Sequence, residues 1–411
     1  MPLGSIERRF QFCVYAAALL GAPAVLGQSY LIQTVAGTTR LKPGAPATST
    51  PLRYPWGVAQ DSAGNVYFAD NLDNRILMAG TDGNIHIVGG TGVAGFSGDG
   101  ASALSAEFDS PRGVALDGKG GLYVADWNNS RVRMINLITG KVTTVAGDGN
   151  YQWSGDGGPA IAAGLDPADI AVDVAGNLYI ADFLNNRIRK VSAMNQTIST
   201  IAGTGISGTA GDGGPAAKAV LNGPLGISVS PQGVLYFADY LSNYVRAIDQ
   251  QTGMINAFAG NGNFGLVDGA PASTAPMAYP LATAVESGGN VLILMTFNYL
   301  QRVTVSDGLI HVVAGSDSLG FGGDGGPANA ATLSFPMAIG AAPNGDILLS
   351  DTGNFRVRRI HGVAEASERK IMTPADLRRR LNLASGFGAY GRLQVAQSAA
   401  GGASYGAASR S

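Results

Sequence analysis

The feature that most constrains this chain is a sequence unit that recurs six times at a nearly constant interval. A proline opens each copy, and successive prolines are separated by 56, 56, 57, 56 and 56 residues. These prolines are Pro55, Pro111, Pro167, Pro224, Pro280 and Pro336. A fixed period of this length is the signature of a repeat architecture, so the fold must be assembled from six similar units.

Each copy contains four short segments that are rich in β-branched and aromatic residues. In the second copy they are residues 113–117, 122–126, 131–135 and 142–147, and Gly, Asn and Asp separate them. This pattern is typical of consecutive antiparallel strands. A small four-stranded sheet cannot bury both of its faces alone, and radial closure protects sheet edges. The sequence therefore predicts an all-β fold, a six-bladed β-propeller of four-stranded antiparallel blades.

The order of the segments indicates how the ring closes. The repeats begin with a fourth-strand segment, residues 31–37, and end with a third-strand segment, residues 356–360. An N-terminal strand should therefore complete the last blade. An open solenoid has no reason to be permuted in this way, because it would instead need capping repeats at its ends.

The segments outside the repeats suggest export. Residues 1–27 have the pattern of a signal peptide, with Arg8 and Arg9 before an apolar run and small residues before position 28. The alternative is an N-terminal membrane anchor. The single cysteine, Cys13, lies in this segment, so the mature chain would contain no thiol. We expect a secreted or periplasmic protein with no membrane span in its mature form.

These boundaries give a propeller over residues 28–362 and a tail over residues 363–411. The tail combines a predicted short basic helix, which begins near Thr373, with a Gly, Ala and Ser-rich stretch expected to be disordered. The whole chain has 27 Lys and Arg against 29 Asp and Glu. Because there is no overall basic field to neutralise phosphates, nucleic acid is not an expected partner.

The repeat resembles a known family. The motif Ala-Asp-x-x-x-x-Arg-[Ile/Val] in copies one to three follows Gly-Val-Ala-x-Asp-x-x-Gly-Asn-x-Tyr and is similar to the NHL repeat. An inserted Gly-Asp-Gly-Gly-Pro-Ala, as at residues 155–160, is similar to bacterial secreted NHL proteins and to the NHL propeller of teneurins. The resemblance covers residues 30–361 and implies the propeller fold. It implies no single activity, because the family includes protein-binding, RNA-binding and lyase members.

One face of the predicted propeller should carry the function. We call it the upper face: it holds the loops between the second and third strands and the long loops between blades, whereas the lower face has short hairpins. Aromatic residues follow the repeated Asp at four equivalent positions, and polar residues accompany them. These ligand-binding candidates are Trp127, Phe183, Tyr240, Phe297, Asn128 and Asn185. The alternative is that the rings form the core of the loops.

The repeated aspartates suggest a structural role. Asp70, Asp126, Asp182, Asp239 and Asp351 precede Arg75, Arg131, Arg187 and Arg356 by about five positions. We expect each Asp to accept hydrogen bonds from its own turn and to pair with that Arg. The alternative is a ring of carboxylates for Ca²⁺. Blade five departs from the pattern, with Thr296 and Gln301 assigned to these positions. We expect no cofactor, with Ca²⁺ as the one candidate.

One residue breaks the repeat near the start of an innermost strand. Asp169 stands where Gly57, Gly113 and Gly226 stand, so it is a candidate for binding a cation or acting as a base at the upper channel mouth. The alternative is that it accepts hydrogen bonds from neighbouring backbone.

Other chemistry-bearing residues do not converge. The chain is similar to the peptide-amidating lyase propeller, which holds zinc with histidines, yet His86 and His311 occupy equivalent places in outermost strands. Similarity to lactonase-like propellers implies Glu and Asn or Asp around a metal, and Glu286 falls on the lower face. No metal ligands or catalytic residues are therefore assigned.

Two functions remain open from the sequence. The first is an exported non-catalytic binding scaffold that recognises a protein, peptide or glycan through its upper face. The second is a metal-dependent lyase or hydrolase with its site at the upper channel mouth. The oligomeric state is not indicated.

Overall fold

The computed structural model describes residues 24–25, 29–36, 44–363 and 368–369, and it confirms the six-bladed propeller. Each blade is an antiparallel sheet of four principal strands. Blade one contains Pro55–Gln60, Val66–Asp70, Arg75–Ala79 and Ile85–Gly89. Blade two contains Pro111–Leu116, Gly121–Asp126, Arg131–Asn136 and Val142–Ala146. Blade three contains Pro167–Val172, Leu178–Asp182, Arg187–Val191 and Ile198–Ala202.

The second half of the ring repeats this arrangement. Blade four contains Pro224–Val229, Val234–Asp239, Tyr244–Asp249 and Met254–Ala259. Blade five contains Pro280–Val285, Val291–Met295, Tyr299–Thr304 and Leu309–Ala314. Blade six contains Ala338–Ala341, Ile347–Asp351, Arg356–Val363 and Ser29–Ala36. Its first strand begins at Ala338, two residues after the proline that opens the sequence repeat.

The N-terminal strand closes the ring as predicted. Ser29–Ala36 pairs antiparallel with Arg356–Val363, and Ile32 lies opposite Ile360 in this pairing. The described residues also include a two-residue pairing of Ala24–Val25 with Glu368–Arg369. The rest of the predicted signal peptide and the predicted tail helix lie outside the described residues. No described helix has the length and apolar composition needed to cross a membrane.

Side chains along each strand point alternately to the two faces of a blade, and both faces are buried against neighbouring blades. In the second strand of blade three, Tyr179 and Ala181 pack into the cluster shared with blade four. Leu178 and Ile180 point the opposite way, into the cluster shared with blade two. A period of two therefore supplies two separate cores, and the adjacent blades hold each other through them.

The loops between blades do more than lie on the upper face. Each turns over the outer edge of the next blade and pairs with the start of its fourth strand. Before blade four, Gly214–Pro215 pairs with Met254 and Ile255, and before blade five Ala270–Pro271 pairs with Leu309 and Ile310. The long loops therefore extend beyond the upper face, and they cover sheet edges that would otherwise be open to another chain.

Short 3₁₀ turns punctuate the loops. Six follow the edge-covering segments: Ala47–Ser49, Ala103–Ser105, Ala160–Ala162, Ala216–Lys218, Ala272–Thr274 and Ala328–Ala330. Three more lie between second and third strands: Asn71–Asp73, Tyr240–Ser242 and Thr352–Asn354. Proline immediately precedes five of the first six turns, where its fixed φ suits the entry to a helical turn.

Candidate functional site

The loops of the upper face are fastened by buried arginines in the third strands. In blade three the Arg189 guanidinium is fully buried and lies 3.3 Å from the Asp182 carboxylate and 2.8 Å from the Asp156 carboxylate of the long loop. It also donates to the carbonyl oxygens of Ser154 and Gly164. One cation thus joins the sheet to two parts of the incoming loop. We call this arrangement the arginine latch.

The latch corrects the predicted partner of the repeated aspartates. Their ion-pair partners are the second arginines of the third strands, seven positions after each Asp: Arg133, Arg189, Arg246 and Arg358. In each latch the same guanidinium also bonds a long-loop carboxylate, from Asp99, Asp156, Asp212 or Asp324. These four loop aspartates therefore fasten the long loops to the third strands.

The first arginines have a different role. Arg187 donates to the carbonyl oxygens of Asn185 and Thr204, and its guanidinium stacks on the ring of half-exposed Trp153 at 4.1 Å. Arg131 on Phe96 and Arg356 on Phe321 repeat this stacking at 3.8 Å. The stacked pairs hold rings at the rim of the upper face, and cation–π attraction favours that position.

Two blades lack the charged latch in informative ways. In blade five, the strand register places Met295 at the position of the repeated Asp and Gln301 at the position of the latch arginine. The prediction that Thr296 takes the Asp position is therefore wrong. Gln301 is buried and donates to the Val267 carbonyl oxygen at 2.6 Å. In blade one Leu77 replaces the arginine, and the Asp70 carboxylate accepts from the backbone N–H groups of Arg53 and Tyr54. Burial raises the pKa of Asp70 to about 6.

Neighbouring blades are also joined by asparagines that the sequence analysis did not single out. Asn186 precedes the third strand of blade three with a left-handed φ of 49°, and its side-chain oxygen accepts from the Gly223 N–H of blade four at 2.9 Å. Asn74, Asn243 and Asn298 make the same bond to the next blade. The signal was the recurring Asn in the turn, a residue type that tolerates positive φ.

The upper end of the central channel is closed by a layer of side chains. It contains the second residue of each repeat, every one at most 6% exposed: Trp56, Arg112, Ala168, Leu225, Leu281 and Met337. Five of them belong to one packed cluster, and the Arg112 guanidinium stacks on Trp56 at 4.3 Å and on Trp127 at 3.3 Å. Burial lowers the pKa of Arg112 to about 9, against the opposing effect of Asp166. We call this set the closing layer.

The structure places three of the four predicted rings, Trp127, Phe183 and Tyr240, beside the closing layer, whereas Phe297 packs against Phe264. Trp127, Phe183 and Tyr240 are at most 8% exposed, and Phe297 is half-buried. Asn128 bonds Asp109 and Ser110 at the edge of its own loop. The first three rings therefore present little surface of their own and support the loops around them.

Five exposed apolar side chains lie on the upper-face loops around blades three and four. We call this set the blade 3–4 patch, and its residues are between 41 and 68% exposed: Tyr151, Trp153, Leu184, Ile206 and Leu241. None of them was among the residues that the repeat pattern marked as candidates. Two of the set directly follow the predicted rings Phe183 and Tyr240, so the rings are turned inward and the next side chain outward.

Hydrogen bonds hold the blade 3–4 patch in one arrangement. The Asn185 side chain donates to the Tyr151 carbonyl oxygen at 2.7 Å and accepts from the Trp153 N–H at 3.1 Å. In blade four, Ser207 donates to the Asn222 side chain, and the Asn222 carbonyl oxygen accepts from the Leu241 N–H. Asn185 thus positions the patch.

Below the closing layer lies a channel cavity of about 190 Å³, lined by the innermost strands. Asp169 is the titratable residue of this lining, and eleven of the other eighteen lining residues are Ala or Val. Its carboxylate accepts from the Ile227 N–H at 3.0 Å, which agrees with the alternative considered from the sequence. Burial raises the pKa of Asp169 to about 7, although backbone N–H groups partly offset that effect.

Close approach of the blades explains why glycine is common at this level. A Cβ on Gly57 would lie 2.5 Å from the Arg112 carbonyl oxygen, and one on Gly226 would lie 2.4 Å from the Ala282 Cα. Asp169 occupies the equivalent position in blade three, and its Oδ1 fills the space where a Gly113 Cβ would fall. A carboxylate therefore stands where neighbouring innermost strands approach each other closely.

The remaining candidate ligands lie apart. His86 pairs with Asp82 and His311 faces Asp268, both on outermost strands, while Glu286 lies 3.8 Å from Arg302. Among the residues that the structure describes, no three His, Cys, Asp or Glu side chains are grouped to hold a metal ion.

Sequence comparisons connect the repeat to known proteins. The family model of the teneurin NHL domain matches residues 202–319, and that of the NHL repeat matches residues 108–133. Protein SUPPRESSOR OF QUENCHING 1, chloroplastic, of Arabidopsis thaliana is 29% identical over 81% of this chain and 33% of its own length. Human Teneurin-1 is 27% identical over 77% of this chain and 12% of its own length. The chain thus spans a third or less of these relatives.

Solved structures show the same fold at lower identity. A structural genomics protein of unknown function from Bacteroides thetaiotaomicron has a TM-score of 0.61 and 20% identity, covering 86% of this chain and 84% of that one. An auxiliary nutrient binding protein from Bacteroides ovatus has a TM-score of 0.59 and 14% identity, covering 82% and 78%. At these identities the likeness concerns the fold alone.

Proposed function

This chain is an NHL-repeat six-bladed β-propeller, and from that premise we propose that it is an exported binding scaffold whose upper face docks another protein or peptide. The observation that carries the proposal is the blade 3–4 patch. Several exposed apolar side chains grouped on the loops of a rigid scaffold favour an interaction site, whereas single exposed apolar residues are ordinary.

The composition of the patch favours a protein or peptide over a glycan. Trp153 and Tyr151 offer ring faces that either partner can use. Leu184, Ile206 and Leu241 offer only aliphatic tips, which cannot hydrogen-bond sugar hydroxyls but can pack against apolar side chains. We therefore place aliphatic or aromatic side chains of the partner on the patch, with Phe297 and Asn185 at its margin.

Rigidity of the surface supports this function. The arginine latch fixes the long loops to the sheet, and Arg187 holds the Trp153 ring from behind. A surface that is already ordered loses little conformational entropy when a partner binds. Trp127, Phe183 and Tyr240 contribute as the buried support of the loops. A catalytic site at the upper channel mouth would have to be reached through the closing layer.

Matched variants of the two faces test the proposal. The upper-face variant is Trp153→Ala/Leu184→Ser/Leu241→Ser. The lower-face control is Ile138→Ser/Val174→Ser/Met194→Ser, which removes three side chains that are 78 to 94% exposed at hairpin tips. Each protein is immobilised and incubated with the extracellular proteins of the organism that encodes it, and retained proteins are identified by mass spectrometry.

We expect a protein that wild type and the lower-face control retain and the upper-face variant loses. Equal retention by all three proteins, or loss only in the lower-face control, would refute the upper face as the docking site. Binding to a glycan array without retention of any protein would show that the ligand is a carbohydrate and would refute a protein partner.

A further inference from the structure

The central channel has a chemical character that the proposed docking function does not use. Its side chains are chiefly Ala, Val, Leu and Ile, with Ser228, Thr283 and Asp169 as the polar members. A carboxylate in such surroundings is costly unless hydrogen bonds or an opposite charge compensate for lost hydration.

The channel is closed at its upper end and not at its lower end. The closing layer covers its upper end, and Asp169 lies just beneath. The lining extends to Leu116, Val172, Val229 and Val285, at the lower ends of their strands. At about 3.3 Å per residue, Asp169 lies roughly 10 Å above the lower end of its strand at Val172. A ligand would therefore enter from the lower face.

Charge at the deep end of the channel is only partly compensated. The Asp169 carboxylate accepts backbone N–H groups of Ile227 and Ile170, and none of the ion pairs among the described residues includes it. Arg112 on the neighbouring strand points upward into the closing layer and stacks on Trp127. Ser228 and Thr283 bond each other at 2.8 Å, and Thr283 also donates to the Tyr236 carbonyl oxygen.

We propose that the channel binds a primary organic ammonium ion with a short apolar stem, its nitrogen on Asp169 and its stem toward the lower face. A monovalent cation balances the single carboxylate, whereas a divalent ion would leave an unbalanced buried charge. The innermost strands pair on one side only, so their free backbone carbonyl groups face the channel and can accept the other ammonium hydrogens.

The walls and the volume fit the stem. Ala115, Ala171, Val229 and Ala284 are among the residues that line the channel, and apolar residues contact an alkyl chain without competing for its charge. A cavity of about 150 Å³ holds a molecule as large as benzene. The 190 Å³ of this channel therefore suits a butyl-sized stem.

n-Butylammonium is the probe, and 1-butanol is its neutral counterpart. Binding to the full chain is measured by ligand-observed NMR titration at pH 8. We expect 1-butanol to bind at least tenfold more weakly than n-butylammonium. Equal binding of the two, tighter binding of CaCl₂ than of n-butylammonium, or no binding of n-butylammonium at millimolar concentration would overturn the proposal.

Three variants locate the site. Asp169→Asn removes the charge, and Asp169→Gly supplies the residue that blades one, two and four have at this position; both should weaken n-butylammonium at least tenfold. Val229→Trp should block entry while keeping Asp169. Circular dichroism and melting temperature establish that each variant is folded. Unchanged affinity in the folded Asp169→Asn variant would overturn the proposal.

The pH dependence adds a readout that a merely structural Asp169 would not produce. Because the amine stays protonated over this range, n-butylammonium affinity should rise from pH 5 to pH 8 as the carboxyl ionises, and it should stay flat in Asp169→Gly. These measurements do not involve the upper face, so the docking proposal and the channel proposal can fail separately.

Discussion

The upper and lower faces of this propeller are built from the same four-stranded unit but are held together by different chemistry. On the upper face, buried arginines bind long loops that connect separate blades, as Arg189 does with Asp156 and Asp182. On the lower face, the hairpin of blade one makes these bonds within itself: the Asp61 carboxylate accepts from the Asn65 backbone and side chain and from the Tyr67 hydroxyl.

The difference shows which loops are fixed relative to one another. A self-contained hairpin fixes only its own turn. A latch that joins distant segments fixes the relative positions of loops, so it can present a defined surface such as the blade 3–4 patch. Connection length, more than strand sequence, therefore makes the two faces chemically distinct.

The largest expected effect comes from breaking one latch. Arg189→Leu leaves the buried Asp182 carboxylate without its cation, and loss of one partner of a buried pair costs about 3–5 kcal/mol of unfolding free energy. Urea denaturation measures this loss. The control is Asp182→Met/Arg189→Gln, which reproduces blade five. It should cost less than the single variant, and a double variant as unstable as Arg189→Leu would contradict the account of the latch.

A smaller effect concerns the channel carboxylate. Burial raises the pKa of Asp169 in the folded state, so the folded protein binds its proton more tightly than the unfolded chain. The stability that this group contributes at low pH is then lost as pH rises from about 4 through about 7. Relative to Asp169→Asn, wild type should lose on the order of 1–2 kcal/mol between pH 5 and pH 8, discounted for solvent in the channel.

Urea denaturation of both proteins at the two pH values checks this prediction. The other buried carboxylates titrate equally in wild type and variant, so the difference isolates Asp169. A stability difference that does not depend on pH would mean that the carboxyl titrates in the channel as it does in the unfolded chain.

The smallest effect is expected on the lower face. Asp61→Ala removes three hydrogen bonds of one hairpin, and each contributes about 0.5–1.5 kcal/mol at most when partly exposed to water. Because water can replace the lost partners, we expect a fall of only about 1 kcal/mol in unfolding free energy and no change in retention of the upper-face partner. Loss of that partner in Asp61→Ala would show that the two faces are not independent.

The strand order and ring closure could be predicted because they depend on local signals. Proline spacing, a period of two and the displaced fourth strand at residues 31–37 fix six blades without knowledge of any long-range contact. The same reasoning assigned His86 and His311 to outermost strands, where the structure places them.

The side-chain partners could not be predicted from spacing. Arg187 and Arg189 lie two positions apart on one face of a strand, so the pattern cannot distinguish which one reaches Asp182. The deciding element is Asp156, which arrives from a loop 33 residues away and favours the buried arginine. Likewise, the direction of a single turn decides that the Phe183 ring is buried and that the next side chain, Leu184, is exposed.

Site-specific photo-cross-linking tests the central claim, that this protein docks its partner through the upper face. A photoreactive residue replaces Ile206 in the blade 3–4 patch or Met194 at a lower-face hairpin, which is the more exposed of the two. Cross-linking is carried out in the organism that encodes the protein. The account predicts a discrete protein adduct from position 206 and none from position 194; an adduct from position 194 alone would contradict it.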